Sequence, residues 1–233
     1  MRRLYKEVSV VKAEDGFGLA LDGKPIITPG KNPFVVTQES LAALVAQEWQ
    51  AQGETVKPQT MILTRFVNTA LDKVQPRYDE VVAEVAAFGG SDLVCYRASE
   101  PADLVQHQQE TWDPYIAWAH NHYGVSLKTT CGIMPIQQSD TTLKTFVDVV
   151  AKHDPFELTA LHSFTSGFGS LVLALAFMER HKSLEEVWSA SQLDEAYQIA
   201  QWGEDAEEAE LRANLHQELQ QAAQYLNCLR GET

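Results

Sequence analysis

The spacing of hydrophobic residues changes along the chain, and the first 36 residues follow the two-residue period of β-strands. Apolar side chains alternate with small ones over residues 17–21, and similar alternation precedes them. Asp15-Gly16 and Asp22-Gly23 separate such runs, and Asp-Gly between alternating runs is the strongest short-range signal for a β-hairpin. The pattern predicts an antiparallel meander of three or four strands that ends near Pro29 or Val36.

After the meander the apolar positions recur at helical spacing. One helix face is marked by Leu41, Leu44, Val45 and Trp49, and a second helix is predicted over residues 61–74. Helices that follow a small sheet bury their apolar stripes against one of its faces. We therefore predict an N-terminal α+β domain over residues 1–75. Asn68 and Asp72, four residues apart in its second helix, could form a site, although capping or solvation is the more ordinary explanation.

Residues 76–233 are predicted to form a mainly α-helical bundle domain. Only residues 125–137 have an extended pattern. The segment from Gly167 to His181 is apolar on nearly all sides, which is typical of the central helix of a bundle. Ser183 and Glu186 form a capping-box pattern for a helix that should end at Gly203. The predicted class is thus α+β, with an antiparallel meander and its covering helices followed by a helical bundle.

A dense aromatic stretch, residues 91–118, contains the residues that we expect to support the bundle. Trp112 lies on the apolar face of a helix and should pack in the core. Asp113-Pro114 suggests a break, with Asp as the N-cap and Pro at the first position of a new helix. Asp92 and Arg97 flank an apolar run, so they are predicted to form a buried structural pair.

Composition excludes several classes of function. The net charge is −14, which argues against binding to nucleic acid or anionic membranes, since both attract Lys and Arg. Three widely spaced cysteines without a CxxC pattern suggest a reducing compartment. The start of the sequence has no pattern of a signal or transit peptide, and the longest apolar run is too short to span a bilayer.

The seven histidines do not form a recognisable catalytic or metal motif. HExxH, GxSxG and Gly-rich GK[ST] patterns are absent from the sequence. His120 and His122 are two residues apart, so a regular helix would direct them to different faces. Cys95 fits a small core residue better than a nucleophile. We expect no catalytic residues, metal or cofactor; an enzyme using His162 or Asp92 between the two domains is the alternative.

The helix predicted from Ser183 carries an unusual mixture of residues on one face. Trp188, Glu195, Ile199 and Trp202 are separated by seven, four and three residues, which places them together at 3.6 residues per turn. A carboxylate inside an aromatic stripe is costly to bury alone. Either an internal basic group pairs with Glu195, or the stripe is exposed and receives a partner.

Several short segments, taken together, resemble one known family. They are "L-Y-K-E-V-S-V", "L-D-G-K-P-I-I-T-P", "A-Q-E-W-Q-A-Q", "N-T-A-L-D", "S-D-L-V-C-Y-R-A", "Q-x-x-x-W-D-P-Y-I-x-W" and "D-E-A-Y-Q-I-A-Q-W-G". Their order along the chain is similar to that in the assembly chaperones that bind the alpha subunit of the ATP synthase catalytic head.

The resemblance implies a chaperone that holds free alpha subunit without ATP until the beta subunit displaces it. It puts Glu195 at the characteristic acidic position of the C-terminal motif and so favours Glu195, Trp188, Ile199 and Trp202 as partner-binding residues. The implied location is the bacterial cytoplasm, or the mitochondrial matrix for a processed eukaryotic form. A generic helical interaction module is the third possibility.

Overall fold

The computed structural model describes residues 2–132 and 135–232, and it has the predicted α+β class. An antiparallel sheet region comes first and a mostly helical part follows. The strands are β1 Val8–Ala13, β2 Gly16–Leu21, β3 Lys24–Pro25, β4 Val35–Val36, β5 Tyr96–Arg97 and β6 Thr130–Cys131. The helices are α1 Glu39–Gln50, α2 Ile62–Thr69, α3 Tyr78–Ala87, α4 Ala102–Tyr123, α5 Asp140–Val150, α6 Pro155–Phe168, α7 Leu171–Met178, α8 Leu184–Ser191, α9 Leu193–Trp202 and α10 Ala206–Leu229.

The predicted meander is confirmed, with β2 at its centre. β1 pairs antiparallel with one edge of β2, while β3 and β4 pair with opposite ends of β2. Asp22 and Gly23 both have positive φ, 48° and 77°, as tight hairpin turns between twisted strands require. The carboxylate of Asp22 also accepts hydrogen bonds from the backbone amides of Lys6 and Glu7. The turn chemistry therefore fixes the register of this sheet.

The chain folds into two compact units, and each contains segments that are distant in sequence. The first unit comprises Met1–Tyr78, Asp154–Ala160 and Gln221–Thr233; the second comprises Asp79–His153 and Leu161–Gln220. The division into residues 1–75 and 76–233 treats the chain as two consecutive pieces, and it stays a prediction.

In the first unit, α1 packs on the sheet and against α2. Leu41, Ala42 and Val45 of α1 are fully buried. From the same helix, Glu48 accepts hydrogen bonds from the amides of Leu63 and Thr64 at the start of α2. A carboxylate satisfies amides that have no partner within a helix's first turn. Beyond α2 the chain stays helical through a π-helical turn, Ala70–Val74, and a short 3₁₀ turn, Gln75–Arg77.

In the second unit, α7 is the core helix that its uniform apolarity predicts. Seven of its eight residues are buried, and it packs against α4 and α8. Ser170 caps its N-terminus by accepting a hydrogen bond from the amide of Leu173. The 125–137 segment contains only the short strand β6 and no helix among the residues described; Ile133 and Met134 lie outside them.

The break predicted at Asp113-Pro114 is wrong, because α4 continues through Pro114 to Tyr123. A proline inside a helix removes one amide donor and leaves a carbonyl without its usual partner. That carbonyl belongs to Glu110, four residues earlier, which is exposed, so water can satisfy it. Asp113 does not cap a new helix. Its carboxylate lies 2.9 Å from Nη2 of Arg97 as an ion pair.

None of the helices in the described part of the chain is long and apolar enough to cross a membrane.

Candidate partner-binding surface

The surface stripe of α9 consists of Glu195, Ile199 and Trp202. At 100° per residue these three positions lie within about 60° of one another around the helix. Trp202 is 78% exposed, Glu195 is exposed and Ile199 is half-buried. Burying an indole gives a large apolar gain, so an exposed one is an informative exception.

Trp188 does not belong to the same helix as this stripe. The single helix predicted from Ser183 to Gly203 is wrong, because the chain turns at Gln192 and separates α8 from α9. The other two boundaries are confirmed. Ser183 and Glu186 form the capping box that begins α8, and Gly203, with φ of 84°, ends α9.

A groove of about 430 Å³ connects Trp188 with the stripe. Its walls include Trp188 and Gln192 from the α8 end and Ala196, Ile199 and Ala200 from α9. Glu195 and Trp202 are not among its described lining residues. The structure thus brings Trp188 and Ile199 together, with Glu195 and Trp202 on the α9 surface that also carries Ile199.

The opposite side of the groove is formed by polar residues of α8 and α10. The imidazole of His216 stacks on Trp188 with ring centroids 4.8 Å apart, and its Nε2 lies 3.1 Å from Oε1 of Glu185. Arg212, which also lines the groove, pairs with Glu204. Both basic groups beside the groove are therefore already engaged with acids.

Glu195 has no hydrogen-bond or ion-pair partner among the residues that the structure describes. An internal pair for this carboxylate, one of the two alternatives from the sequence, is therefore wrong. The α9–α10 connection and the first turns of α10 add five acids nearby in sequence: Glu204, Asp205, Glu207, Glu208 and Glu210. The surface combines exposed apolar groups with negative charge, which complements a basic and apolar partner.

The inward side of α9 is fixed to α4 by two polar contacts. Nε2 of Gln108 donates to Asp194 at 2.7 Å, and the hydroxyl of Tyr197 donates to Asp103 at 3.0 Å. Leu193 is buried next to the first of these positions in sequence. Because Asp194 and Tyr197 face α4, Glu195 and Trp202 are directed away from it.

Gln108 is the supporting residue that the sequence interpretation missed. It is 2% exposed, and its Oε1 accepts a hydrogen bond from the amide of Ala98 at 2.8 Å. Its backbone carbonyl accepts a bond from Nη1 of Arg97. Gln108 lies four residues before Trp112, so the signal that could have revealed it was its position on the apolar helix face.

The predicted pair of Asp92 and Arg97 is wrong, because the structure gives each residue different partners. Asp92 accepts hydrogen bonds from the Ser170 hydroxyl and from the amides of Val94 and Val172. It is fully buried, and desolvation raises its pKa to about 6 despite these bonds. A carboxylate enclosed in this way stabilises the start of α7 and is not accessible to a substrate.

Arg97 is held among backbone carbonyls and the core tryptophan. Its Nε donates to the carbonyl of Val94 at 2.8 Å, and its guanidinium carbon lies 5.2 Å from the centre of the Trp112 ring. The Nη2 atom has no aligned hydrogen-bond acceptor, so it meets Asp113 as an ion pair only. Trp112 in turn donates from Nε1 to the carbonyl of Ala190 in α8.

The described residues contain no group of three or more His, Cys, Asp or Glu side chains placed to hold a metal ion. Cys95 is buried, and desolvation raises the pKa of its thiol to about 12. A thiol with such a pKa is not a nucleophile at neutral pH.

Comparison with known proteins gives one family and several similar structures. A family model described as ATP12 chaperone protein matches residues 2–120. The crystal structure of Atp12 from Paracoccus denitrificans has a TM-score of 0.94 and 37% sequence identity, covering 98% of each chain. A mutant of the same Atp12p also has a TM-score of 0.94 with 37% identity, covering 98% of this chain and 97% of that one.

A third similar structure is that of the Atu1473 protein from Agrobacterium tumefaciens. Its TM-score is 0.89 at 41% identity, covering 98% of this chain and 85% of the other. The similarity extends over both compact units.

Proposed function

The chain belongs to the ATP12 chaperone protein family, which serves the assembly of ATP synthase, and from this premise we propose that it holds the free alpha subunit. It does so without ATP, and the beta subunit then displaces it. The bacterial sources of the similar structures support a cytoplasmic site of action. A free subunit exposes apolar surface that is covered after assembly, and such surface aggregates.

The single observation that carries this proposal is the exposed stripe of α9. The Trp202 indole is 78% exposed, which leaves apolar area in water, and it shares a helix face with Glu195, a carboxylate without a partner among the described residues. In a complex the same indole becomes an anchor, since Trp is enriched among the residues that dominate interface energies. The stripe is therefore suited to a partner that covers it.

The groove next to the α9 stripe offers a second contact for the partner. Trp188 and Ile199 line a concave surface of about 430 Å³, large enough to receive an apolar side chain of the partner. Glu195 would then accept charge-assisted hydrogen bonds from a basic residue or amide group, and such bonds are about twice as strong as neutral ones. Trp188, Glu195, Ile199 and Trp202 together form the proposed contact with the alpha subunit.

Holding requires no energy source. A protein that binds one state of its client shifts the equilibrium toward that state by mass action. The beta subunit needs only to bind the alpha subunit more tightly in order to release the chaperone. This accounts for a chaperone whose sequence has no phosphate-binding loop.

Light scattering during refolding of isolated alpha subunit tests the proposal. We expect an equimolar amount of the chaperone to suppress scattering in the absence of nucleotide. Adding ATP to the chaperone should change the scattering little. Suppression that requires ATP hydrolysis would contradict the proposal, as would equal suppression by a variant carrying both Trp202→Ala and Glu195→Gln.

A further inference from the structure

A second concave site lies in the first compact unit, remote in sequence from α8–α10. It is a cavity of about 590 Å³. One side is mainly apolar, apart from Thr28 and Gln59, and is formed by the 26–34 loop, α1 and residues 56–61. Its apolar lining includes Ile26, Ile27, Phe34, Trp49, Val56 and Met61. Ile27 is 62% exposed, so this wall is not closed by the chain itself.

The polar groups of the cavity are concentrated on one wall. Arg65 and Asn68 belong to α2, while Asp72 and Lys73 belong to the π-helical turn that follows it. Ligand sites are mostly apolar cavities of roughly 300–1,000 Å³ with a few convergent polar groups. The size and the uneven distribution of polarity both fit that description.

Asp72 holds the 28–32 loop against this wall by accepting three hydrogen bonds from it. Its carboxylate accepts hydrogen bonds from the Thr28 hydroxyl, the Gly30 amide and the Asn32 side chain. Desolvation opposes ionisation, but these bonds hold the pKa of Asp72 below its usual value. A Cβ at Gly30 would lie 2.6 Å from the carboxylate, so a side chain at this position would displace either Asp72 or the loop.

The groups that remain available on this wall are donors. Lys73 is exposed, and neither it nor the Asn68 amide has a hydrogen-bond or ion-pair partner within the described parts of the chain. Arg65 uses Nη2 to bond Gln221 and retains further N–H groups. Asp72 stays ionised, so the wall presents two cations and an amide beside one anion, a net positive charge in a protein whose net charge is −14.

The π-helical turn is an independent indication of a binding site. Such turns are rare and occur frequently at functional sites, where an added residue redirects side chains. Here the turn carries both Asp72, which holds the loop, and Lys73, which lines the cavity. The backbone irregularity and the available donors therefore coincide on one wall.

We propose that this cavity binds a small amphiphilic carboxylate, with its apolar chain against the wall of Ile26, Ile27 and Phe34. The carboxylate accepts hydrogen bonds from Lys73 and Asn68. This inference does not depend on capture of the alpha subunit, because it concerns other residues and another ligand.

Isothermal titration calorimetry with three ten-carbon probes tests the chemistry. We expect decanoate to bind more tightly than decanol, and decyltrimethylammonium to bind most weakly, because the polar wall is cationic. Methyl NMR should show shifts at Ile26, Ile27 and Met61. Absence of decanoate binding at millimolar concentration, equal binding of the cationic probe, or shifts confined to other methyl groups would each overturn the proposal.

Two variants separate the polar wall from the apolar wall. Lys73→Gln should weaken decanoate binding about tenfold, which corresponds to roughly 1.4 kcal/mol, and should leave decanol binding unchanged. Ile27→Ser, at an exposed position, should weaken both probes several-fold. Lys24→Gln in β3 is the matched control for charge and should match the unmodified protein. An equal loss from Lys24→Gln and Lys73→Gln would show that only net charge matters.

Discussion

Two carboxylates in the second unit have opposite environments, and the difference separates their roles. Glu195 is exposed on α9 and has no partner among the residues described. Asp92 is fully buried and accepts hydrogen bonds from Ser170, Val94 and Val172. A charge in water costs the fold little, whereas a buried charge is tolerated only with donors around it. The first is free to meet a partner, and the second belongs to the core.

Glu195→Gln should leave the fold intact and weaken capture of the alpha subunit. Surface substitutions usually change stability by less than about 0.5 kcal/mol, so the melting temperature should stay nearly constant. Loss of a charge-assisted bond should weaken capture roughly tenfold. Circular dichroism melting and pull-down of alpha subunit measure the two effects.

Glu218→Gln, at an exposed acid of α10 outside residues 204–210, is the matched control and should capture normally. A Glu195→Gln protein that melts several degrees lower, yet captures normally per folded molecule, would show that Glu195 supports the fold instead.

Asp92→Asn should lower stability and remove a pH dependence. The substitution replaces one carboxylate oxygen of Asp92 by an amide N–H₂ group, which then faces a backbone N–H donor. The loss of that hydrogen bond lowers the free energy of unfolding by about 1–3 kcal/mol. Because the folded pKa is raised to about 6, the folded state binds the proton more tightly than the unfolded state. The stability that protonation of Asp92 contributes therefore begins to increase as pH falls through 6. It reaches its full value only below the unfolded pKa of about 3.9.

Denaturant unfolding at pH 7.5 and pH 5 measures this effect. The advantage of the unmodified protein over Asp92→Asn should increase by roughly 1 kcal/mol at the lower pH. Asp148→Asn, at an exposed position in α5, should show no such change. A difference that is constant with pH would contradict a raised pKa for Asp92.

At the scale of elements, α9 depends on α4 for its orientation. Gln108 of α4 bonds Asp194, and Asp103 accepts a hydrogen bond from the hydroxyl of Tyr197. These contacts use residues on either side of Glu195 in sequence and leave Glu195 facing outward. The proposed binding surface is thus positioned by a helix that does not itself carry the stripe.

Gln108→Ala should loosen α9 without unfolding the protein. The change leaves the Ala98 amide without its acceptor in a partly buried place, at a cost of about 1–3 kcal/mol. Hydrogen exchange in residues 193–202 should accelerate, and capture should weaken. Gln106→Ala on the same helix is the control, since that exposed amide bonds only Glu110. Unchanged exchange in α9 would refute the positioning role.

The elements that could be predicted from sequence are those determined by local chemistry. The hairpin at Asp22-Gly23 and the capping box at Ser183 depend on neighbouring residues, so both are confirmed. The turn at Gln192 was missed because glutamine is a good helix former and no Gly or Pro marks the break. Pro114 was wrongly predicted to end a helix. A helix tolerates an internal proline where water reaches the carbonyl that loses its partner, and the sequence does not show which helix face is exposed to water.

The candidate site was only partly predictable for a related reason. Spacing identified Glu195, Ile199 and Trp202 as neighbours, but it could not decide whether an internal cation pairs with Glu195. The partner of Asp92 is Ser170, 78 residues away. Interactions at that separation depend on tertiary packing, which periodicity does not contain.

At the scale of the whole molecule, the net charge of −14 should make capture sensitive to salt. Attraction between an acidic surface and a basic partner accelerates association and is screened within about 10 Å at 0.1 M ionic strength. Association with alpha subunit should slow several-fold between 50 mM and 500 mM NaCl, as stopped-flow fluorescence would show. Trp202→Ala should weaken binding but keep the same salt dependence. An association rate that does not change with salt would exclude electrostatic steering.

The exposed Trp202 also bears on how the protein avoids binding to itself. A surface that attracts apolar clients would, in principle, attract the same surface on another copy. Every copy, however, carries Glu195 beside its indole and the acids of residues 204–210 close by in sequence. Two such surfaces brought face to face would place like charges together, which opposes contact. We therefore expect these acids to oppose association between copies of the protein and to leave the surface open to a basic partner.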